Sequence, residues 1–395
     1  MESGKLKEEN ENNSQLDKQT VLSQLPKGWE IKKLGEVCRI YQPKTISKKK
    51  MVTDGKYLVF GANGIIGKYN EYNHELPQLL VTCRGATCGA VNISLPKSWI
   101  NGNAMVINPN KNNLLLKFVE YFFRGSVDLS SIITGAAQPQ ITRQNLSPVP
   151  IPIPPLPEQK RIVSILDRAF EAIDQAKANA EQNLKNTKEL FQSKMQSIFE
   201  NGKLKVDSGE WEEKKLNEIS ENLDNKRVPI TKKDRKAGDI PYYGASGIVD
   251  YVADYIFNEN LLCISEDGAN LLARTYPIAF SISGMTWVNN HAHILKFKNM
   301  NTQKYVEFYL NSIKLDDFIS GMAQPKLNQT KLNQIPIPLP SSIVEQQNII
   351  TKIENLSTET KKLEAIYQQK IDDLEELKKS ILQKAFSGQL IMENE

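Results

Sequence analysis

The clearest pattern along the chain is a heptad. Between residues 343 and 387, Ile349, Leu356, Leu363, Lys370 and Leu377 fall seven apart, with Ile353, Thr360, Tyr367, Leu374 and Ile381 between them. Alternating steps of three and four lay one apolar stripe along a helix, and such a stripe needs a partner helix. Lys370 is the flaw, beside Ile371. A weaker stripe begins at Ile162, Leu166, Ala169, Ile173 and Ala176, slips phase, and resumes as Leu184, Phe191, Met195 and Ile198. The slip predicts a stutter in the pairing. Elsewhere the pattern changes to short β-rich runs ("QLLVTC", "AMVINP", "LLCIS", "AFSIS", "HILKF") broken by Gly and Asn turns. An amphipathic helix occurs twice among them, in "LLLKFVEYFFRG" and "TQKYVEFYLNSI".

These runs belong to a duplication. "GWEIKKLGEV" at 28 returns as "EWEEKKLNEI" at 210, which aligns Trp29 with Trp211. "FGANGIIGKYN" at 60 answers "YGASGIVDYVA" at 243, "SWINGNAMVI" at 98 answers "TWVNNHAHIL" at 286, and "GAAQPQIT" at 135 answers "GMAQPKLN" at 321. The offset stays between 182 and 188 residues. Each copy closes on an Ile-Pro run, "PVPIPIPPLPEQ" or "QIPIPLPSSIVEQQ". Proline lacks an N–H and disfavours helix in the residue before it, so the run predicts a stiff extended connector. Pro157 and Glu158 then suit the start of a helix, where proline is tolerated and a carboxylate meets the positive dipole end.

The expected architecture is α+β with an internal pseudo-two-fold: two similar domains with mixed sheets, separated by two long helices that form an antiparallel coiled coil. The boundaries read as a polar tail at 1–26, a first recognition domain at 27–156 and a first long helix at 157–202. A second domain at 203–342, a second helix at 343–390 and a tail at 391–395 follow. A helix of about 42 residues is roughly 63 Å long, so two heads at opposite ends of an antiparallel pair would lie about that far apart.

Charge sharpens this picture. The net charge is only +4, yet residues 28–156 carry 15 Lys/Arg against 7 Asp/Glu, whereas residues 203–342 hold 17 of each sign. A basic excess confined to one block suits a polyanion. The start "MESGKLKEENENN" does not read as a signal peptide, and Cys38, Cys83, Cys88 and Cys263 form neither a paired framework nor a Cys-x-x-Cys. Buried reduced thiols in a cytoplasmic protein are therefore expected.

Candidate chemistry is sparse. "ANGIIGKY" at 62–69 satisfies Ala-x4-Gly-Lys but carries Tyr69 where a phosphate loop needs Ser or Thr, and its counterpart "ASGIVDYV" has no lysine. Both read as hairpin turns. His291 and His293 alternate in a predicted strand without a cysteine–histidine cluster, and Glu266-Asp267 and Asp316-Asp317 read as solvated carboxylates. No catalytic residue, metal or cofactor is expected. Duplex DNA is the better match, since two similar heads suit a bipartite site.

Phosphate-gripping candidates are Lys48, Lys49 and Lys50 in the first copy, and Lys232, Lys233, Arg235 and Lys236 in the second. Base-reading candidates are Arg84, Arg124, Asn270 and Arg274, Asn63 and Ser246 in the hairpin turns, and Gln138, Arg143, Gln324 and Lys326 of the Gln-Pro elements. Arginine to guanine and Asn or Gln to adenine are the pairings that discriminate bases.

The duplicated "GWEIKKL"/"EWEEKKL" openings, the Ile-Pro-x-Pro junctions followed by Glu-Gln and Ile, and the helix endings "FENGKL" and "FSGQL" resemble the specificity subunits of type I restriction–modification systems. The resemblance runs from about Pro26 to Leu390. It implies a non-catalytic subunit whose two target-recognition domains each read half of a split duplex DNA site, with the helices as spacer and docking surface. It also implies two methyltransferase subunits and ATP-dependent translocating restriction subunits as partners. The alternative is a two-headed coiled-coil scaffold that binds only proteins.

Overall fold

A computed structural model describes residues 25–135, 138–321 and 323–391. Most of the N-terminal tail, the last four residues, and Ala136, Ala137 and Met322 of the duplicated Gly-x-Ala-Gln-Pro segment lie outside the described residues. Helices α1 (Leu116–Gly125), α2 (Leu156–Asp207), α3 (Met300–Ser312) and α4 (Ile343–Phe386) are the long ones among them. The chain divides into two compact units, residues 1–179 with 370–395 and residues 180–369. This division cuts α2 and α4 within their length, so each unit holds a globular head and a part of both helices. The first helix also runs five residues past the expected end, and the second stops short at Phe386.

In unit 1, strands β2 (Cys38–Tyr41), β8 (Ala104–Pro109), β5 (Leu79–Thr82) and β6 (Val91–Ile93) form one antiparallel sheet in the order β2-β8-β5-β6. A smaller mixed sheet sets β3 (Tyr57–Gly61) antiparallel to β4 (Gly64–Tyr69) and parallel to β7 (Trp99–Ile100). Unit 2 repeats both: β11 (Ser220–Asn222), β18 (Ala292–Phe297), β15 (Leu261–Ser265) and β16 (Ala279–Ile282) form the first sheet. The order β13 (Gly247–Val252), β12 (Ile240–Gly244), β17 (Met285–Val288), β14 (Phe257–Asn258) makes the second. The hairpin turns are as expected, with Gly61 paired to Gly64 and Gly244 to Gly247, and with Gly64 and Gly247 at φ of 100° and 117° that favour glycine.

The Ile-Pro runs correct one expectation. They are paired strands rather than unpaired connectors: β9 (Pro150–Ile153) lies antiparallel to β1 (Glu30–Lys33), and β19 (Pro336–Leu339) to β10 (Glu212–Lys215). Alternation explains how proline is accommodated. Successive N–H groups on a strand point to opposite edges, so both missing donors fall on the outer edge of a two-stranded ladder. Ile151 and Ile153 keep theirs for β1. The pairing ties the Trp-led opening of each head to its exit into the long helix.

The helix ends are part of each head's core. In unit 1, Phe386 at the end of α4 packs on Phe118 and Phe122 of α1, with ring centroids 5.0 and 5.4 Å apart. In unit 2, Phe199 near the end of α2 packs on Tyr305 and Tyr309 of α3 at 5.5 and 5.3 Å. Trp29 and Trp211 are buried in these two clusters. Trp211 also donates its indole N–H to Glu345 at 3.1 Å, and Lys205 meets the same carboxylate at 2.7 Å.

Within unit 1 the helix segments run antiparallel, since Lys177 pairs with Glu375 while Lys378 reaches back to Asp174 at 2.8 Å. The buried stripe of α2 passes through Ile162, Leu166, Phe170, Ile173, Ala180, Met195 and Phe199, with Ala169, Leu184, Thr187, Phe191 and Ile198 half-buried. The inward row of α2 shifts by one residue: Ile162, Ala169 and Ala176 are followed by Leu184, Phe191 and Ile198, while Leu190 is exposed. On α4, Ile350, Ile353 and Leu382 are buried, and Ile349, Leu356, Thr360, Tyr367, Leu374 and Ile381 are half-buried. Two predicted seam residues are not in the seam: Leu363 and Leu377 are 44% and 46% exposed. The inward row runs one residue later, through Glu364, Ile371 and Lys378. A helix of 3.6 residues per turn drifts about 20° per heptad, which rotates the row begun at Ile349 outward by Leu363.

Candidate nucleic-acid interface

Where the larger sheet of each head meets the Gln-Pro loop, backbone pairing builds the two units alike. In unit 1, Arg84 bridges to Gln140, and Gln140 to Thr134. The Gly85 N–H donates to the Pro139 carbonyl at 3.2 Å and the Ile141 N–H to Cys83 at 3.1 Å. In unit 2, Asp267 bridges to Lys326, and Lys326 to Ser320. The Gly268 N–H donates to Pro325 at 3.0 Å and the Leu327 N–H to Glu266 at 2.8 Å. Gly85 and Gly268 both sit at positive φ, 90° and 105°.

The unit 1 cleft, about 360 Å³, is lined by Tyr41, Gln42, Arg84, Met105, Gln140 and Arg143 among others. Its floor is uncharged: the Gln42 amide donates to Cys83 Sγ at 3.0 Å and to the Gly102 carbonyl at 3.1 Å. Arg84 and Arg143 are exposed at the rim, and neither has an ion-pair partner among the described residues.

The equivalent place in unit 2 holds a charge network. His293, buried, has Asp224 at 2.5 Å from Nδ1 and the Leu327 carbonyl at 2.7 Å from Nε2. Each ring nitrogen thus has an acceptor within hydrogen-bond distance. Arg227 donates to Glu266 at 2.6 Å and to the Ala292 carbonyl at 2.8 Å, and Lys326 pairs with Glu266 at 3.2 Å. Burial raises the pKa of Asp224, but the His293 hydrogen bond and charge, the Ile294 N–H and Arg227 outweigh it and hold the carboxyl below its usual range. Glu266 is likewise held low, burial being outweighed by Arg227, His293 and Lys326. Asp267 adjoins Glu266 in sequence, its carboxylate 2.9 Å from His291 Nδ1. Glu266 is therefore a buried network member, not the solvated carboxylate expected from sequence.

The structure sorts the other candidates. Lys48, Lys49 and Lys50 form an exposed 3₁₀ turn, and Lys232, Lys233 and Lys236 are exposed in a loop. Asn63 and Ser246 are exposed at the hairpin tips, where Asn63 accepts from Asn92 at 2.9 Å. Gln138 and Gln324 are exposed on the Gln-Pro loops.

Four candidates have partners within the fold. Arg124 lies on α1 beside Gly125, whose Cα faces Leu382, and pairs with Glu120 at 2.9 Å, so it belongs to the helix packing. Arg235 pairs with Asp250 at 2.9 Å and lies 4.3 Å over the Tyr242 ring, which anchors its loop. Arg274 donates to the Leu310 and Ile313 carbonyls at 3.2 and 2.9 Å, satisfying the C-terminal end of α3. Asn270 makes two hydrogen bonds, each 3.0 Å, to the Tyr276 backbone.

Sequence reasoning missed Gln42, Cys83 and Met105 and their equivalents Asp224, Glu266 and His293. The duplication held the signal: an offset of 182 places Gln42 on Asp224, and one of 188 places Met105 on His293.

Comparison with known proteins gives a consistent result. The model of the type I restriction modification DNA specificity domain matches residues 26–186 and again 208–375. A Haemophilus influenzae protein carrying the specificity-subunit name S.HindORF215P is 35% identical over 142 residues, 36% of each chain. The type I restriction enzyme MjaVIII specificity subunit of Methanocaldococcus jannaschii is 24% identical over 422 aligned positions, 94% of this chain and 95% of that one. The fold is shared with a chain solved in work on complex assembly and conformational transition of the type I R-M system. That likeness has a TM-score of 0.70 at 17% identity and covers 92% of this chain and 98% of the other.

Proposed function

The chain belongs to the type I restriction–modification DNA specificity family, and we propose that it is the sequence-reading subunit of such a complex. Each head reads one half of a bipartite duplex site. Helices α2 and α4 set the spacing between the halves and dock two methyltransferase subunits. Methylation and ATP-dependent cleavage reside in partner subunits, and the complex works in the cytoplasm. Among the described residues no helix is long and apolar enough to cross a membrane.

The observation that carries this reading is the double match: one DNA-specificity model fits two copies that share a fold, in units joined by the same two helices. Exposed Lys48–Lys50, Lys232, Lys233 and Lys236 serve as phosphate contacts; such contacts orient a protein on DNA without reading sequence. Asn63, Ser246, Gln138 and Gln324 lie exposed on loops and serve as adaptable polar contacts.

Sequencing of methylated positions in a host that expresses the chain with its methylating subunits tests the proposal. A split motif is expected, and its spacing should change when whole heptads are inserted in both helices. Absence of any bipartite motif, or of salt-dependent duplex affinity in the purified complex, would favour the protein-only scaffold. Methylation or cleavage by the chain alone would overturn the non-catalytic assignment.

A further inference from the structure

The two Gln-Pro sites share a backbone and differ in hydrogen-bond polarity. We infer that Arg84 with Arg143 reads a guanine in one half-site, and that Asp267, the backbone equivalent of Arg84, reads a cytosine in the other. The inference rests on the reading of both units as DNA-reading heads.

In unit 1, both guanidinium groups stand exposed at the rim of one cleft without a carboxylate partner among the described residues, above a floor of Gln42, Cys83 and Met105. A guanidinium is a rigid fork of donors with no acceptor. Its complement in the major groove is an edge with two adjacent acceptors, the O6 and N7 of guanine. Gln140 adds an exposed amide to the same rim. The local excess of basic residues in this head draws the polyanion in, and the absence of a competing carboxylate leaves the fork available.

In unit 2, the cations are already engaged. Arg227 and Lys326 both hold Glu266, and His293 lies between Asp224 and a carbonyl. The group left facing outward at the position of Arg84 is an acceptor, the Asp267 carboxylate, steadied by His291. An acceptor pairs with an exocyclic amino group, and carboxylate to cytosine N4 is the matching pair. The buried network below fixes the loop that carries Asp267, since the Leu327 N–H and the Lys326 side chain both bond Glu266, its neighbour.

The test uses the complex with its methylating subunits and reads the methylated motif and duplex binding at two salt concentrations. Arg84→Lys with Arg143→Lys keeps the charge and removes the fork. It should lower guanine discrimination in one half-site by roughly 5- to 150-fold and leave the other half-site and the spacing intact. Asp267→Asn should relax one cytosine position in the opposite half-site by a similar factor. An unchanged motif in either variant overturns the inference. So does a uniform loss of affinity across all sequences, the behaviour of a phosphate contact. Failure of the broader reading looks different, because the wild-type complex would then yield no bipartite motif to alter.

Discussion

Unit 1 and unit 2 build the same larger sheet and Gln-Pro loop, yet in one they border a neutral cleft and in the other a largely buried charge network. What they share is backbone hydrogen bonding and apolar core: matching bridges, matching glycines at positive φ, and Phe386 and Phe199 seated on matching aromatic pairs. At the Gln-Pro loop, what differs is the side chains that the shared backbone carries. A scaffold whose stability comes from ladders and core packing leaves those positions open to change. Charge placed there carries a condition, however. Removing one member of a buried ion pair leaves the other uncompensated, so the members of the unit 2 network depend on one another.

The strongest check on the shared part is a matched pair of truncations. Phe199→Ala and Phe386→Ala should each cost about 3–5 kcal/mol, the range for a buried phenylalanine. Hydrogen exchange should place the first loss in α3 and the second in α1. Loss confined to one unit for both variants would break the equivalence.

The next check separates the floors. Asp224→Ala removes a carboxylate that is 8% exposed and bonded to His293 and Arg227, and should cost roughly 3 kcal/mol. Gln42→Ala, its counterpart, loses neutral hydrogen bonds and should cost about 1 kcal/mol. Equal costs in chemical denaturation would mean that the network adds nothing beyond a neutral floor.

Acid should discriminate in the same direction. Asp224 and Glu266 titrate below their usual range in the folded state. Their stabilising contribution is whole above the unfolded carboxylate pKa near 4 and is lost as pH falls through the lower folded value. As pH falls from about 4 toward the lower folded values, strands β11, β15 and β18 should therefore lose more exchange protection than β2, β5 and β8. The difference should shrink in Asp224→Ala. Parallel loss in both sheets would show that the network is not what acid attacks.

Much of this was legible in the sequence because it rests on repetition and periodicity. The two heads, the long helices and the hairpin turns follow from residues that recur at fixed offsets. The cleft and the network were not legible as sites, because their members lie far apart along the chain: Asp224, Glu266, His293 and Leu327 meet only through the sheet. Arg124, Arg235 and Arg274 have intramolecular partners that the sequence does not show, for a related reason. Residue type marks an arginine as able to bind DNA, but only the fold shows that a carboxylate, a ring or a helix end already engages it. Proline content alone points to unpaired Ile-Pro runs; pairing depends on which strand edge lacks the donors, and alternation puts them all on one edge.

The helix seam supplies the smallest expected effect on stability and the sharpest contrast between pattern and structure. Leu363 completes the apolar heptad, yet it is 44% exposed, beside Ile366 at 59%, while Ile353 is fully buried. If hydrophobic pattern governed, Leu363→Asp would be as damaging as a core substitution, several kcal/mol. If position governs, the change falls on solvent-facing surface and should stay within about 0.5 kcal/mol, while Ile353→Ala costs about 2–5 kcal/mol. The exposed pair has a second consequence. Neighbouring exposed apolar side chains on a helix are what a docking partner would cover. Leu363→Asp should therefore leave the melting of the isolated chain unchanged and reduce co-purification of the methyltransferase subunit. A variant that melts early would return Leu363 to the seam, and one that melts and co-purifies normally would remove this face of α4 from the docking surface.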